Sequence, residues 1–248
     1  MEPRFGRLYA GAVLRPLAEQ VAGVLGVRRG ETVCDLMCDG GTLGVSLGAA
    51  VGAEGHVVLV DIDSELLRDA QRDVATTGCG VSTLVLVDDP SPLPEHACDR
   101  VASLCPQGFW EHGSLLDAAD HALRPAGSAA MLVWDPAHPP LHEVAIRDAL
   151  QSVLGMRSPF LTRCLAGVDM QPAPGWMAVT VHDVVRFDGI ATYWAAMVTE
   201  RAVANELSGA PDASLVAVRA ACQRALERCT AADGTMRIPV SATLYCSG

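Results

Sequence analysis

The stretch Glu31-Thr-Val-Cys-Asp-Leu-Met-Cys-Asp-Gly-Gly-Thr-Leu-Gly-Val, followed by an apolar run that ends in Asp61, constrains the fold more than any other part of the chain. Val33 to Leu36 is a short apolar strand, Met37 to Gly41 a loop around paired glycines, and Thr42 to Val51 carries Leu43, Leu47 and Ala50 at helical spacing. His56 to Val60 is a second buried strand with Asp61 at its carboxyl end, 20 residues after Gly41. Strand, tight loop, helix, strand and acid in this order is how a doubly wound α/β domain holds a nucleoside, because two neighbouring ribose hydroxyls can donate to one carboxylate. A ligand carrying adenosine is the first expectation.

The loop chemistry narrows the ligand. Dinucleotide binding needs glycines where the pyrophosphate approaches the backbone, and Met37 and Asp39 stand there instead. A carboxylate about 4 Å from a phosphate charge costs about 4 kcal/mol at an effective dielectric of 20, which cancels much of the benefit of a helix N-terminus. S-adenosylmethionine has no phosphate, and its sulfonium and amino group are cations that an acidic loop accepts.

The pattern then repeats. Val81 to Val87 reads as a third strand ending in Asp88-Asp89, and Asp88 is suited to accept the adenine amine. Asp99 opens a fourth strand, Arg100 to Leu104, before a loop that contains Gln107; a helix over Ser114 to Leu123 leads to the strand Ser128 to Trp134. Five strand-helix units in series predict a mostly parallel sheet with ligands at the strand carboxyl ends.

These residues together resemble the class I S-adenosylmethionine-dependent methyltransferases, and specifically their ubiquinone/menaquinone-type (methyltransferase type 11-like) small-molecule branch. Val33-Cys-Asp-Leu-Met-Cys-Asp-Gly-Gly-Thr stands where that family has Val-Leu-Asp-Val-Gly-Cys-Gly-Thr-Gly. Val60-Asp-Ile-Asp-Ser-Glu-Leu-Leu, Asp88-Asp-Pro-Ser-Pro-Leu-Pro, Cys98-Asp-Arg-Val and Leu123-Arg-Pro-Ala-Gly match its later segments in order. The resemblance implies a Rossmann-like seven-stranded methyltransferase sheet with helical lid elements, S-adenosylmethionine as cofactor, and Asp35, Met37, Cys38, Asp39, Gly41, Asp61, Ile62, Asp88, Asp89 and Gln107 around it. Met37 and Cys38 would line the cofactor through backbone atoms. Asp35 either orients the loop and the cofactor's amino group or bonds loop amides. The family's first two motif glycines are replaced by Met37 and Asp39, so a side chain there must turn away or narrow the pocket.

The rest of the chain reads as an acceptor half. Leu141 to Leu154 is an amphipathic helix, Met156 to Pro174 is irregular, Trp176 to Phe187 and Met236 to Tyr245 are strands, and Ile190 to Leu207 and Ala213 to Thr230 are helices. Tyr9 to Val24 is an amphipathic segment expected to help cover the cofactor. The expected organisation is one domain over residues 1–248, with an N-terminal lid helix over 1–24, a cofactor half over 31–135 and an acceptor and lid half over 136–248. For a general base near an acceptor hydroxyl the candidates are His112, named first, with His138, His142 and His182. Trp110, Trp134, Trp176 and Tyr193 are candidates for an apolar pocket.

Composition removes several classes. A net charge of −11 argues against DNA or RNA, whose binding rests on Lys and Arg neutralising phosphates. The chain has no lysine, which excludes a protein Schiff base and a P-loop. Nine cysteines without a Cys-x-x-Cys pair suggest a reduced, cytoplasmic setting and no metal site. The expected activity is methyl transfer to a small-molecule acceptor, perhaps in secondary metabolism. The alternatives are a methyltransferase-like enzyme recruited for cyclisation or rearrangement, and a non-catalytic binding subunit.

Overall fold

The computed structural model describes residues 7–86, 93–105, 112–135, 137–156 and 174–248. A seven-stranded, mostly parallel sheet with flanking helices gives the chain a Rossmann-like methyltransferase fold, in the order β3-β2-β1-β4-β5-β7-β6. The strands are β1 Thr32–Leu36, β2 His56–Asp61, β3 Gly80–Val85, β4 Cys98–Leu104, β5 Leu123–Trp134, β6 Trp176–Phe187 and β7 Met236–Ser247. The chain divides into two compact units, one of Met1–Val13, Trp134–Val168 and Val181–Ala242, the other of Leu14–Val133, Asp169–Thr180 and Thr243–Gly248.

In the second unit β1 pairs with β2 and β4, β2 with β3, and β4 with β5, all parallel. Val33, Cys34, Asp35 and Leu36 are all buried, as expected of a central strand covered on both faces. Helices α2 Arg15–Leu25, α3 Thr42–Val51, α4 Ser64–Ala75 and α5 His112–Ala122 belong to this unit. Helix α3 has the bounds that its sequence predicts. Glycine permits close approach in this layer: a Cβ on Gly44 would stand 2.8 Å from Leu59 Cδ2 and 2.9 Å from Val74 Cγ2.

Asp63 caps α4, its Oδ1 accepting from Glu65 N at 2.8 Å and from Leu66 N at 3.3 Å. We expect Asp63→Ala to cost about 1 kcal/mol in urea denaturation and Asp63→Ser to recover most of it. Equal stability of all three chains would refute the cap.

The first unit holds helices α6 Leu141–Leu154, α7 Ile190–Thr199, α8 Arg201–Leu207 and α9 Asp212–Ala225. Helix α6 has its predicted bounds and stops at Gly155, whose left-handed φ of 67° no residue with a Cβ adopts readily. The single helix expected over Ile190 to Leu207 is two, because Glu200 takes an extended backbone (φ −67°, ψ 133°) and its carboxylate accepts from Val203 N at 2.9 Å. The amphipathic N-terminal segment begins as α1 Arg7–Tyr9 and passes through a π-turn at Ala10–Leu14. No helix among the described residues is long and apolar enough to cross a membrane.

Candidate cofactor site

The carboxyl ends of β1 and β2 bring acids together, since Asp35 pairs with Leu59 and Leu36 with Val60 in the parallel register, one step before Asp61. Asp61 is buried and holds the loop: its Oδ2 accepts from Asp39 N at 2.8 Å and its Oδ1 from Asp63 N at 3.0 Å. Burial raises its pKa, while the backbone N–H groups of Asp63, Asp39 and Ile62 oppose that rise. A carboxylate has about four lone-pair positions, so two such bonds leave it able to accept from further donors.

Asp35 differs. It is fully buried, and among the described residues neither carboxylate oxygen meets a hydrogen-bond partner in good geometry. Burial pushes its pKa up to about 8; the Gly44 amide opposes this, and the charges of Asp61 and Asp39 add to it. A buried, unsatisfied carboxyl is costly in a folded protein and is the natural partner of a cationic or hydrogen-bond-donating ligand.

The loop between these acids adopts a glycine backbone without the glycines. Met37 and Asp39 both lie in the left-handed region, at φ 59° and 47°. That conformation costs on the order of 1–2 kcal/mol for a residue with a Cβ, and less for Asp. The two side chains part: Met37 is buried, while Asp39 is exposed and presents its amide to Asp61. Cys38 spends its backbone within the fold, its N–H donating to Val60 O at 2.9 Å and its carbonyl accepting from Gly41 N at 2.8 Å. Burial pushes the Cys38 thiol up, so it is not a ready nucleophile. Gly41 ends the loop at φ 79° as the N-cap of α3.

Residues 15–101 match the model of the ubiE/COQ5 methyltransferase family. Over 142 residues the chain is 28% identical to the ubiquinone/menaquinone biosynthesis C-methyltransferase UbiE of Vibrio vulnificus, covering 55% of this chain and 54% of that protein. An uncharacterised protein of Mycobacterium tuberculosis is 30% identical over 128 residues, covering 51% of this chain and 46% of its own. The chain therefore spans about half the length of the curated relatives it matches. Among solved structures, a putative type II methyltransferase from Anaeromyxobacter dehalogenans superposes with a TM-score of 0.58 at 15% identity, covering 100% of this chain and 97% of that one. Residues 15–101 are thus similar to the ubiE/COQ5 methyltransferases, and the chain shares the methyltransferase fold. YjhP of E. coli shares the fold at a TM-score of 0.52 and 14% identity, with 100% of this chain and 96% of that chain covered.

Of the residues expected around a methyltransferase cofactor, Asp35, Met37, Cys38, Asp39, Gly41, Asp61 and Ile62 stand on one loop and two adjacent strand ends. Asp88, Asp89 and Gln107 lie outside the described residues, and although His112 opens α5, so does its side chain. His182 accepts or donates at 2.8 Å to Ser241 Oγ, and His138 meets Asp135 Oδ2 at 2.8 Å through Nδ1 while remaining mostly exposed. Among the described residues no group of three or more His, Cys, Asp or Glu side chains is placed to hold a metal ion.

Sequence reasoning singled out His142 and Tyr193 but gave Glu143 no role in the first unit. His142 and Glu143 are buried, the Tyr9 hydroxyl donates to Glu143 Oε1, and the same hydroxyl lies 3.4 Å from His142 Nε2. The Tyr193 hydroxyl donates to the His142 carbonyl at 2.7 Å. An acid in the first turn of a helix usually faces water and the helix dipole, so Glu143 gave no signal in the sequence. Its partner Tyr9 is 134 residues away.

Proposed function

We propose that this chain transfers the methyl group of S-adenosylmethionine to a small-molecule acceptor. The observation that carries the reading is Asp35, a buried carboxyl without a hydrogen-bond partner in good geometry among the described residues, beside Asp61 at the ends of adjacent parallel strands. In this reading Asp61 takes the ribose hydroxyls with the lone pairs its two backbone bonds leave over. Asp35 meets the positive end of the cofactor and ionises on doing so, since a nearby cation favours the charged form. Asp88 accepts the adenine amine, Asp89 and Gln107 complete the rim, and Met37, Cys38, Asp39, Gly41 and Ile62 form the wall.

The bound cofactor would supply a methyl group on a positively charged sulfur. The protein's share is alignment and exclusion of water, which together can contribute about 7–11 kcal/mol without a dedicated catalytic group. A net charge of −11 supports a neutral or cationic small acceptor over a nucleic acid. A cytoplasmic setting and a role in secondary metabolism complete the reading. The comparisons lend no support to a cyclase or rearrangement reading.

Isothermal titration with S-adenosylmethionine and S-adenosylhomocysteine is the direct test. We expect both to bind, and Asp61→Ala to weaken both by about tenfold or more, as loss of a hydrogen bond to a charged group does. Mass spectrometry of the turned-over acceptor should then give a gain of one methylene equivalent. No heat with either ligand would end the methyltransferase reading, and an acceptor converted without change of mass would replace it.

A further inference from the structure

The second unit carries an acid in a backbone that does not favour one. Asp39 lies at φ 47°, a left-handed conformation that glycine adopts freely and a Cβ opposes. Its N–H donates to Asp61 Oδ2 at 2.8 Å. Glycine would offer the same N–H, so that bond accounts for the shape of the loop and not for the carboxylate. The core does not call for the side chain either, since Asp39 is exposed where its neighbours Met37 and Cys38 are buried. An exposed anion kept in an unfavourable backbone is placed for what arrives from solution.

Its charge is felt within the site. Asp61 and Asp39 both raise the pKa of Asp35, behind the larger effect of burial, and all three acids act on the Cys38 thiol. Asp35 is fully buried, with no hydrogen-bond partner in good geometry among the described residues, and keeps its proton up to about pH 8. At neutral pH the negative charge that a ligand meets on this loop and the adjoining strand ends therefore comes from Asp61 and Asp39. Asp61 already accepts from two backbone amides, and Asp39 is the one of the two that faces solvent.

We infer that Asp39 is a specificity-determining residue, through which this chain favours the cationic methyl donor over its neutral demethylated product. The inference rests on the methyl-transfer reading and deepens it by naming how donor and product are told apart at that site. S-adenosylmethionine and S-adenosylhomocysteine share their adenosine, amino and carboxylate groups, and differ by one methyl and the positive charge on sulfur. A fixed anion distinguishes them by Coulomb attraction, which acts over several ångströms and needs no contact with the methyl itself. Repulsion between Asp39 and the ligand's carboxylate is common to both and cancels in their ratio. Glycine at this position would leave the two ligands equal in this respect. Transfer of the methyl thus removes the attraction, so that product leaves readily and competes weakly with fresh donor.

Isothermal titration of the full chain tests this with three ligands: S-adenosylmethionine, S-adenosylhomocysteine, and sinefungin, which bears an ammonium where the donor has its sulfonium. Asp39→Asn keeps the size, the amide to Asp61 and the tolerance of left-handed backbone, and removes the charge. It should weaken S-adenosylmethionine and sinefungin by about fivefold and leave S-adenosylhomocysteine within about twofold, the scale of a charge pair that water partly screens. Asp39→Gly, which suits the backbone better still, should give the same ratios. Glu54→Gln makes an equal change in net charge at an exposed residue before the amino end of β2, away from Asp61, and should leave all three affinities unchanged. Raising salt from about 0.05 M to about 0.5 M should lower the wild-type preference for the cationic ligands, and lower it less in Asp39→Asn. An Asp39→Asn chain in which all three affinities move together, or none moves, would overturn the inference. So would sinefungin behaving as S-adenosylhomocysteine does, because the methyl and not the charge would then be what is read. A wild type that binds none of the three would instead remove the methyl-transfer reading and this inference with it, whereas binding with ratios indifferent to Asp39 removes the inference alone.

Discussion

Asparagine in place of Asp35 is expected to stabilise the protein, with a gain that grows by on the order of 4 kcal/mol between about pH 5 and about pH 8.5. The folded chain holds the Asp35 proton up to about pH 8, against an ordinary value of 3.8. The folded state therefore binds more protons than the unfolded state throughout that window, so the wild type loses stability as pH rises and bears the full penalty above about 8. The amide that Asp35→Asn introduces has the same shape as the acid and no proton to lose. Denaturation in urea at the two pH values isolates the effect, because every other group is common to both chains. A constant offset between wild type and variant would show that Asp35 is not the buried, unsatisfied acid described above.

The same substitution should weaken S-adenosylmethionine binding. A ligand that meets Asp35 with positive charge gains from its ionisation, and an amide offers no such gain. Stability rising while donor affinity falls is the signature of a residue kept for a ligand rather than for the fold. A structural acid would lose both together.

The strand ends where these acids stand were legible from sequence because they are bounded by local signals. Gly41 and Gly52 bracket Thr42–Val51, and Pro140 and Gly155 bracket Leu141–Leu154, so both helices have their predicted limits. Asp63 or Ser64 offers a cap in the sequence because both precede a periodic run, and the structure uses Asp63. Glu200 was not readable in this way, since Ile190 to Leu207 is apolar enough to continue as one helix. The side chain's bond to Val203 N accompanies the turn of the backbone there. The full burial of Asp35 and the pairing of Tyr9 with Glu143 are facts of packing between distant segments, to which neither spacing nor composition responds.

The positive φ of Met37 and Asp39 shows a further limit. Their departure from glycine reads in the sequence as a lost motif, yet the backbone keeps the left-handed turns that glycine serves elsewhere. The shape of the loop is set by its closure onto β2, through Cys38 N on Val60 O and Asp39 N on Asp61 Oδ2. Local preference yields there to long-range bonds, and the strain is carried at a site expected to bind a ligand.

Gly41 is where glycine is required outright, and Gly41→Ala is expected to cost about 2–5 kcal/mol, the sum of a left-handed Cβ and an overpacked contact. At φ 79°, a Cβ on Gly41 would stand 2.7 Å from Ala70 Cβ and 2.8 Å from Ala70 Cα. The second of these is backbone of α4 and cannot rotate away, so α3 and α4 must separate or the loop must unwind. Either response displaces the loop that Asp61 holds, so donor affinity should fall together with stability. Its neighbour provides the contrast. A Cβ on Gly40 meets nothing within 4 Å, and its φ lies outside the left-handed range. Gly40→Ala should therefore be neutral, or gain about 0.4–1 kcal/mol from a less free unfolded chain. Melting temperature and S-adenosylhomocysteine affinity of the two variants, measured side by side, separate close helix packing from loop flexibility. If Gly40→Ala and Gly41→Ala behave alike, the contact with Ala70 does not govern the loop.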